Sequence, residues 1–340
     1  MTARDGNGWT RCGLGHRHWG RHGGAGLLVA APYPASGGVR GVVPSGQHSG
    51  GVRGVVPSGQ HSGTAVLTAV LLAQRSTWAS HGGTWGPPGG ARDSHESPVH
   101  AALREAAEEC GISPAAVTVH GMLADDHGGW TYQTVLASAE APLAVAAASD
   151  ETRDAAWVPV ADVGALRLHP GFAEQWPALR AALAPLTVIV DAANVIGARA
   201  DGWWKDRAGA ASRLCAELAK LARAGIPELP DSAGIPPLPR RFPLIVVVLE
   251  GAAKAAACDQ PGADGSAAAD GRAAADGLAQ PADGRFRVVR APGSGDDEIA
   301  AQAAALPGHR LVVTADRELR ARCQAAGASV TGPRWLLRLL

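Results

Sequence analysis

The sequence predicts an α/β protein made of two domains. Its 340 residues are enough for two domains of about 150 residues each. The first half carries an amphipathic helix between apolar strand-like segments, and from about Pro185 onward apolar strands alternate with helices. Such alternation is typical of a mostly parallel sheet that is covered by helices on both faces. We therefore expect residues 1–184 and 185–340 to form separate domains.

A helix is predicted between Ser97 and Gly111. Ser97 can accept the first orphan amide protons, Pro98 suits the first helical position, and Gly111 suits the end. At about 100° per residue, apolar and acidic side chains fall on opposite sides. The apolar side consists of Val99, Leu103, Ala106 and Cys110, and the acidic side of Glu105, Glu108 and Glu109.

The acidic side of this helix has two interpretations. Most runs of charge are solvated faces, which usually mix signs because like charges four residues apart repel. Here Arg104 is the nearby cation. A group of carboxylates is also a ligand set for a hard divalent cation such as Mg²⁺, which binds oxygen and keeps water or phosphate in its shell. The pattern alone leaves both interpretations open.

The residues around the helix resemble the signature of the Nudix hydrolases. Every specified position of that signature is filled. Glu96 follows Gly90 after five residues, and the run from Arg104 to Ile112 follows Glu96 after seven residues. The resemblance implies an α/β/α sandwich that cleaves nucleoside diphosphate derivatives with Mg²⁺ or Mn²⁺. It implies that Glu108 and Glu109 are metal ligands, and that Glu105 is a further ligand or the base that deprotonates water. Arg104 would orient a glutamate and Glu96 would support the loop.

The segments that flank the signature agree with this family. Strands are predicted in GTAVLTAVLLAQRS (63–76) and TYQTVLASA (131–139), and DETRDAAWVPVADV (150–163) resembles the family's late strand. Pro87 departs from the pattern, since the family usually has a larger apolar residue there. Asp150 and Glu151 lie where some members keep an extra catalytic acid. For Asp125 and Asp126 an exposed turn is favoured over a catalytic role.

The composition argues against a membrane or secreted protein. The longest apolar run, AVLTAVLLA, is too short to span a bilayer, and the N-terminus does not resemble a signal peptide. Five cysteines, an odd and scattered set, argue against a disulfide framework. We expect a cytoplasmic protein with no membrane role; its oligomeric state stays open.

Two features of the first half lie outside the signature. GVRGVVPSGQHSG occurs at 38–50 and again at 51–63, which predicts a flexible surface insertion. Cys12, His16, His18 and His22 lie close together and are of zinc-ligand type. Their spacing is not a paired finger pattern, so a strand and loop are favoured over a zinc site, with a histidine near the substrate as a further option.

The acids of the second half follow its predicted strands. Strands are expected at 187–191, 243–250, 285–292 and 309–316, and helices at 209–225, 296–306 and 317–327. In open α/β sheets the site lies at the carboxyl ends of the strands. The acids at those ends are Asp191, Glu250, Asp296, Asp297 and Asp316. Any one of them could be a helix cap, but as a set they favour a metal site.

This half resembles the PIN-like nucleases of the NYN branch. VDAANVIG, GSGDDEI and VTADREL match that family's motifs, which are shorter than the Nudix signature. The resemblance implies that Asp191, Asp296, Asp297 and Asp316 hold Mg²⁺ or Mn²⁺ and that Asn194 orients a ligand or substrate, with RNA as the partner.

Two segments of this half carry further expectations. Trp203 and Trp204 could stack on nucleic acid or pack on the domain, and the sequence favours neither interpretation over the other. Residues 252–283, rich in Ala, Gly and Asp, are expected to be a disordered insertion.

The function predicted from these patterns is metal-dependent hydrolysis of a nucleotide pyrophosphate by the first domain, next to an RNA-processing domain. One alternative is a ribonuclease whose Nudix domain senses nucleotides. Another is a pair of binding modules without turnover, against which the intact signature argues.

Overall fold

The computed structural model describes residues 4–33, 67–199, 202–258 and 284–340. The chain divides into two compact units, Met1–Leu183 and Ala184–Leu340. Within the described ranges, no helix has the length and apolar character needed to cross a membrane. The duplicated segment at 38–63 lies outside the described residues.

The first unit is a mixed sheet with an apolar central strand. Its elements are β1 (Trp9–Arg11), β2 (Arg17–Trp19), β3 (Gly24–Tyr33), β4 (Leu67–Arg75), β5 (Trp85–Gly86), β6 (Gly89–Ala91), α1 (Pro98–Cys110), β7 (Thr118–Asp126), β8 (Thr131–Ser138), β9 (Thr152–Pro159) and α2 (Pro170–Ala181). The strands run in the order β7-β8-β3-β4-β5, with β6 added to β3 and β9 to β4. The pair β3 and β8 is parallel, whereas β3–β4, β4–β9 and β7–β8 are antiparallel. Residues 24–31 of β3 are all buried, so side chains of both faces are covered.

Helix α1 confirms the predicted boundaries. The Ser97 side chain accepts a hydrogen bond from the His100 amide, Pro98 is the first helical residue, and Gly111 ends the helix in the left-handed conformation with φ 72°. The predicted apolar residues are buried, and α1 packs against β3 and β6. The helix is thereby fixed with its acidic side next to the β6 strand.

The second unit is a parallel sheet. Its elements are β10 (Leu186–Asp191), α3 (Ala192–Gly197), α4 (Arg207–Ala224), β11 (Arg240–Arg241), β12 (Leu244–Leu249), β13 (Phe286–Arg290), α5 (Gly295–Ala305), β14 (His309–Val313), α6 (Arg317–Ala325), β15 (Ser329–Thr331) and α7 (Pro333–Leu337). The strand order is β13-β12-β10-β14-β15, and every neighbouring pair in it is parallel.

Both faces of this sheet are covered, as predicted. Val188 and Val190 of β10 belong to the core that includes Leu214 of α4, whereas Ile189 belongs to the core that includes Ile299 of α5. Neighbouring residues of one strand therefore enter different cores, which explains why the strand sequences are apolar throughout.

Two expectations about the second unit need correction. Cys215 of α4 forms a disulfide with Cys258, a single bridge that the expectation of no disulfide framework did not include. The disordered insertion cannot begin at residue 252, because Gly251–Ala255 forms a 3₁₀ helix and Ala256 is buried. Residues 259–283 of the expected insertion lie outside the described residues.

Candidate active site

The glycines of β6 bring the backbone against two glutamates of α1. The Gly89 amide donates a hydrogen bond of 3.1 Å to Oε2 of Glu109. The Glu105 carboxylate lies over Gly90, where a β-carbon would come within 2.7 Å of its Oε1. A side chain at Gly90 would therefore displace Glu105, which explains a glycine here.

Arg104 connects the glutamates to one another. Its Nε and Nη2 donate to the two oxygens of Glu96 at 2.7 and 2.9 Å, and its Nη1 donates to Glu105 at 2.8 Å and to Glu108 at 3.3 Å. Glu96 in turn accepts a hydrogen bond of 3.1 Å from the Asp93 amide in the loop before α1. Arg104 thus holds the Glu105 and Glu108 carboxylates while Glu96 holds Arg104.

The electrostatics of this cluster favour a bound cation. Burial raises the pKa of Glu109 to about 8, and repulsion from Glu105 adds to the rise. Burial also raises the pKa of Glu105, although Arg104 opposes this effect. Glu108 is more exposed and also forms an ion pair with Arg4. Carboxylates that repel one another in a partly buried site are a donor set that fits a hard divalent cation.

The glutamates line a cleft of about 650 Å³. Aromatic rings and arginines form other parts of its wall, among them Trp9, Trp19, Trp130, Tyr132, Arg75 and Arg17. His169 also faces the cleft, and burial together with repulsion from His81 and Arg75 lowers its pKa to about 4. The cleft therefore combines acidic groups with flat apolar and cationic surfaces.

Comparison with known proteins identifies the family. A relative from Mycobacterium tuberculosis named "Putative 8-oxo-dGTP diphosphatase 3" is 39% identical over 190 residues, which are 54% of this chain and 72% of the relative. The chain belongs to the Nudix family. The family model of the NUDIX domain matches residues 52–181, a range that contains the whole signature, so the first unit contains a Nudix domain.

Two further proteins are similar to this Nudix domain. A "Nucleoside triphosphate pyrophosphatase/Nudix hydrolase fusion protein" from Bifidobacterium longum is 36% identical over 180 residues, 52% of this chain and 32% of that protein. The crystal structure of a Nudix hydrolase from M. smegmatis, RenU, is 38% identical, with a TM-score of 0.40, and the alignment covers 52% of this chain and 93% of that one.

The other acids predicted for the first unit separate into two groups. Glu151 lines the cleft and is close enough to Glu105 and Glu109 to raise the pKa of each. Asp150 is exposed and is not part of the cleft wall. Asp126 accepts a hydrogen bond of 2.9 Å from the Gly128 amide, as expected for a turn. Asp125 instead lines the cleft and pairs with His127 at 3.1 Å.

The second unit brings four of its predicted acids towards one edge of the sheet. Burial raises the pKa of Asp296, and repulsion from Asp191, Asp316 and Glu250 raises it further. Burial also raises the pKa of Asp191. Asp191 and Asp316 additionally cap α3 and α6, so the helix-cap interpretation holds for both.

Asp297 pairs with an arginine and not with the other acids. Its carboxylate is exposed and pairs with Nη2 of Arg322 at 2.7 Å, so the structure does not group it with the other predicted ligands. Asn194 is next to Asp191, with a hydrogen bond of 2.6 Å to Oδ2, and it also accepts a hydrogen bond from the Ala315 amide. Asn194 therefore links the ends of β10 and β14.

Trp203 and Trp204 differ in exposure, so packing on the domain holds for one ring and stacking on a ligand stays open for the other. Trp203 packs against the core of the second unit, with Arg207 over its ring at 5.5 Å. Trp204 is 61% exposed. One ring is thus structural, and the other remains free to contact a ligand.

The predicted cysteine and histidine cluster has a different membership from the one expected. Cys12, His16 and His18 lie together with His127, whereas the His22 ring lies 3.7 Å from Asp5. The sequence did not single out His127, which is 109 positions beyond His18. An Asp-x-His pattern at a predicted turn is the signal that could have drawn attention to it.

Proposed function

We propose that the first unit hydrolyses a pyrophosphate bond in a nucleotide with Mg²⁺ or Mn²⁺. The observation that carries this proposal is the set of glutamates held by Arg104 at the wall of an aromatic-lined cleft. Glu108 and Glu109 would hold the metal and Glu105 would take the proton of the attacking water, with Arg104 and Glu96 as positioning residues.

The proposed hydrolysis gives a role to the carboxylates and the arginines of the cleft. A divalent cation, when bound, neutralises phosphate charge and makes water a better nucleophile. The water oxygen attacks phosphorus, the bridging P–O bond breaks, and the water proton passes to the Glu105 carboxylate. Arg104 holds one oxygen of Glu105 at 2.8 Å, which fixes the carboxylate in place for that transfer. Arg75 and Arg17 line the cleft where substrate phosphates could bind.

We propose purine nucleoside triphosphates as the first substrates to test, with 8-oxo-dGTP among them. The M. tuberculosis relative's name mentions this nucleotide. The aromatic rings of the cleft wall support a planar base as the bound group, since stacking on aromatic side chains gains free energy from burial and from ring contacts. The cleft volume is in the range that small-molecule ligands occupy.

The test compares wild-type protein with Glu109→Gln and with Glu140→Gln as a matched control, because Glu140 is exposed and is not part of the cleft wall. A panel of nucleoside triphosphates, nucleotide sugars and dinucleotides is incubated with Mg²⁺, Mn²⁺ or chelator. We expect metal-dependent turnover in the wild type and Glu140→Gln, reduced at least about 100-fold in Glu109→Gln. Equal turnover in both variants would refute the assignment.

A second candidate function belongs to the second unit. We propose a PIN-like, metal-dependent ribonuclease site formed by Asp191, Asp296 and Asp316, with Asn194 as an orienting group. The mutual repulsion of these carboxylates at the carboxyl edge of a parallel sheet supports it. Under the alternative in which the Nudix domain senses nucleotides, Asp191→Asn abolishes RNA cleavage, whereas Glu109→Gln changes it only when nucleotide is added.

The cofactor and the compartment complete the proposal. Mg²⁺ or Mn²⁺ is proposed at both sites because their donors are carboxylate oxygens. The compartment is proposed to be the cytoplasm, where nucleotide substrates and RNA both occur. Neither assignment depends on the other.

A further inference from the structure

Two hairpin loops of the first unit lie against each other and bring four metal-ligand side chains together. Strands β1 and β2 form one hairpin, with Cys12 in its turn, and β7 and β8 form the other, with His127 in its turn. The Gly13 amide of the first turn donates to the Gly128 carbonyl of the second at 2.5 Å. One ligand atom from each of Cys12, His16, His18 and His127 lies within 4.8 Å of the others.

Two ring nitrogens of this cluster are available to a ligand. Nε2 of His18 and Nδ1 of His127 are buried and have no hydrogen-bond partner. A buried polar atom without a partner costs free energy, so its presence calls for a ligand. The opposite nitrogen of His127, Nε2, lies 3.1 Å from the Asp125 carboxylate. A carboxylate on the far nitrogen is the arrangement that orients a histidine towards a metal.

In the part of the chain that the structure describes, the first hairpin shares no strand pairing with the main sheet of the unit. Its two strands have three residues each and form a separate two-stranded sheet. Trp9 and Trp19 are half exposed on one face, while His18 on the other face stacks on Trp130 with ring centroids 3.9 Å apart. An isolated two-stranded hairpin is marginally stable in water. A cross-link to the rest of the unit would therefore contribute to its order.

We propose that Cys12, His16, His18 and His127 form a structural zinc site that joins the N-terminal hairpin to the β7–β8 hairpin. A thiolate and three imidazoles suit Zn²⁺ and not the hard cations Mg²⁺ and Ca²⁺. Tetrahedral zinc needs donor atoms about 3.3–3.8 Å apart, which side-chain adjustments could achieve from atoms that already lie within 4.8 Å of one another. Four protein ligands leave no open position, which is characteristic of a structural zinc site.

The site would also shape the cleft. Trp9, Arg17 and Trp19 of the hairpin line the same cleft as the glutamates of α1. The proposed ligands His16, His18 and His127 also line this cleft, so zinc would fix this part of its wall. This role is separate from the divalent cation of the glutamates, whose donors are all oxygen.

The experiment measures zinc content by mass spectrometry in full-length protein that was expressed with added zinc and dialysed against excess Mg²⁺. Two variants remove ligands, Cys12→Ser and His127→Gln. Two matched controls, Cys323→Ser and His22→Gln, change a buried thiol of the second unit and a neighbouring histidine outside the cluster. We expect one zinc per chain in the wild type and both controls, and at least a tenfold lower content in both ligand variants.

A second measurement covers the case in which a variant fails to fold. Cobalt titrated into chelator-treated wild-type protein should give the intense bands of tetrahedral coordination and a thiolate-to-cobalt charge-transfer band, which an all-oxygen site cannot produce. Wild-type protein without zinc and without this band would overturn the proposal, as would equal zinc content in Cys12→Ser and Cys323→Ser. Both readouts are independent of nucleotide hydrolysis, so failure of the zinc site and failure of the proposed function are distinguishable.

Discussion

Arg104 binds Glu96 through two parallel hydrogen bonds, from Nε to Oε1 at 2.7 Å and from Nη2 to Oε2 at 2.9 Å. This paired geometry needs the planar guanidinium, because a lysine ammonium cannot reach both oxygens in the same plane. The hydrogen bonds that Arg104 donates to Glu96 also raise the pKa of Arg104 above its ordinary value. Arg104 therefore remains a fixed cation from which Glu105 and Glu108 are positioned.

Arg104→Lys should lower kcat of nucleotide hydrolysis by about 10- to 100-fold, because the glutamates lose their common donor. We also expect half-maximal activity to need more Mg²⁺, a change that a purely structural residue would not cause. The matched control is Arg92→Lys, since Arg92 donates to the His22 carbonyl in the same region and contacts no glutamate. Steady-state kinetics at several Mg²⁺ concentrations make the comparison. Equal effects of the two substitutions would contradict the positioning role.

Gly90→Ala should reduce activity by at least about tenfold while the fold is retained. The added methyl group would meet the Glu105 carboxylate at 2.7–2.9 Å, whereas the backbone at Gly90 does not need a positive φ. The carboxylate must then move away from Arg104. Gly164→Ala is the control, because a β-carbon there meets nothing within 4 Å. Circular dichroism and turnover are measured for both variants, and full activity of Gly90→Ala would refute the tight approach of Glu105.

The parts of the fold that the sequence predicts well have local causes. Helix α1 begins at Ser97-Pro98 and ends at Gly111 because capping and a left-handed glycine depend on neighbouring residues alone. The strands of the second unit were recognisable because burial on both faces leaves them apolar throughout. The residues of the Nudix signature are likewise close together in the chain, so their grouping did not require the tertiary structure.

The parts that the sequence could not predict depend on packing between distant segments. His127 joins Cys12 because two turns lie together at Gly13 and Gly128, and no local pattern specifies that contact. Asp296 and Asp297 are adjacent in the first turn of α5, where successive side chains point about 100° apart. Only one of them can face the acidic edge, and the sequence does not say which.

His169 should remain neutral to about pH 4, since burial and repulsion lower its pKa from 6.5 to about 4. Between pH 6.5 and about pH 4, His169 binds a proton in the unfolded chain but stays neutral in the folded protein. The free energy of unfolding therefore decreases as the pH falls through this range. The full shift corresponds to about 3.4 kcal/mol, and because the ring is partly exposed and screened by solvent the expected loss is on the order of 2–3 kcal/mol. Histidine NMR titration checks the pKa, and thermal melting of wild type and His169→Gln across this range checks the loss, which the variant should lack. A titration of His169 near pH 6.5 would contradict the prediction.

Asp296→Asn and Asp297→Asn should differ in their effect on stability although the residues are neighbours. Asp296 is repelled by Asp191, Glu250 and Asp316, so its neutralisation should stabilise the metal-free protein by on the order of 0.5–1 kcal/mol. Asp297 is exposed and paired with Arg322, so its loss should change stability little.

The acidic edge is tested with Mn²⁺ in a Glu109→Gln background, which removes a proposed ligand of the Nudix site. A ligand that binds only the folded state raises the melting temperature. Calorimetry should therefore show a Mn²⁺-dependent rise for the background protein and for Asp297→Asn, and a much smaller rise for Asp296→Asn. If both substitutions left the same rise, Asp296 would not be a metal ligand, and the cation would have to bind elsewhere.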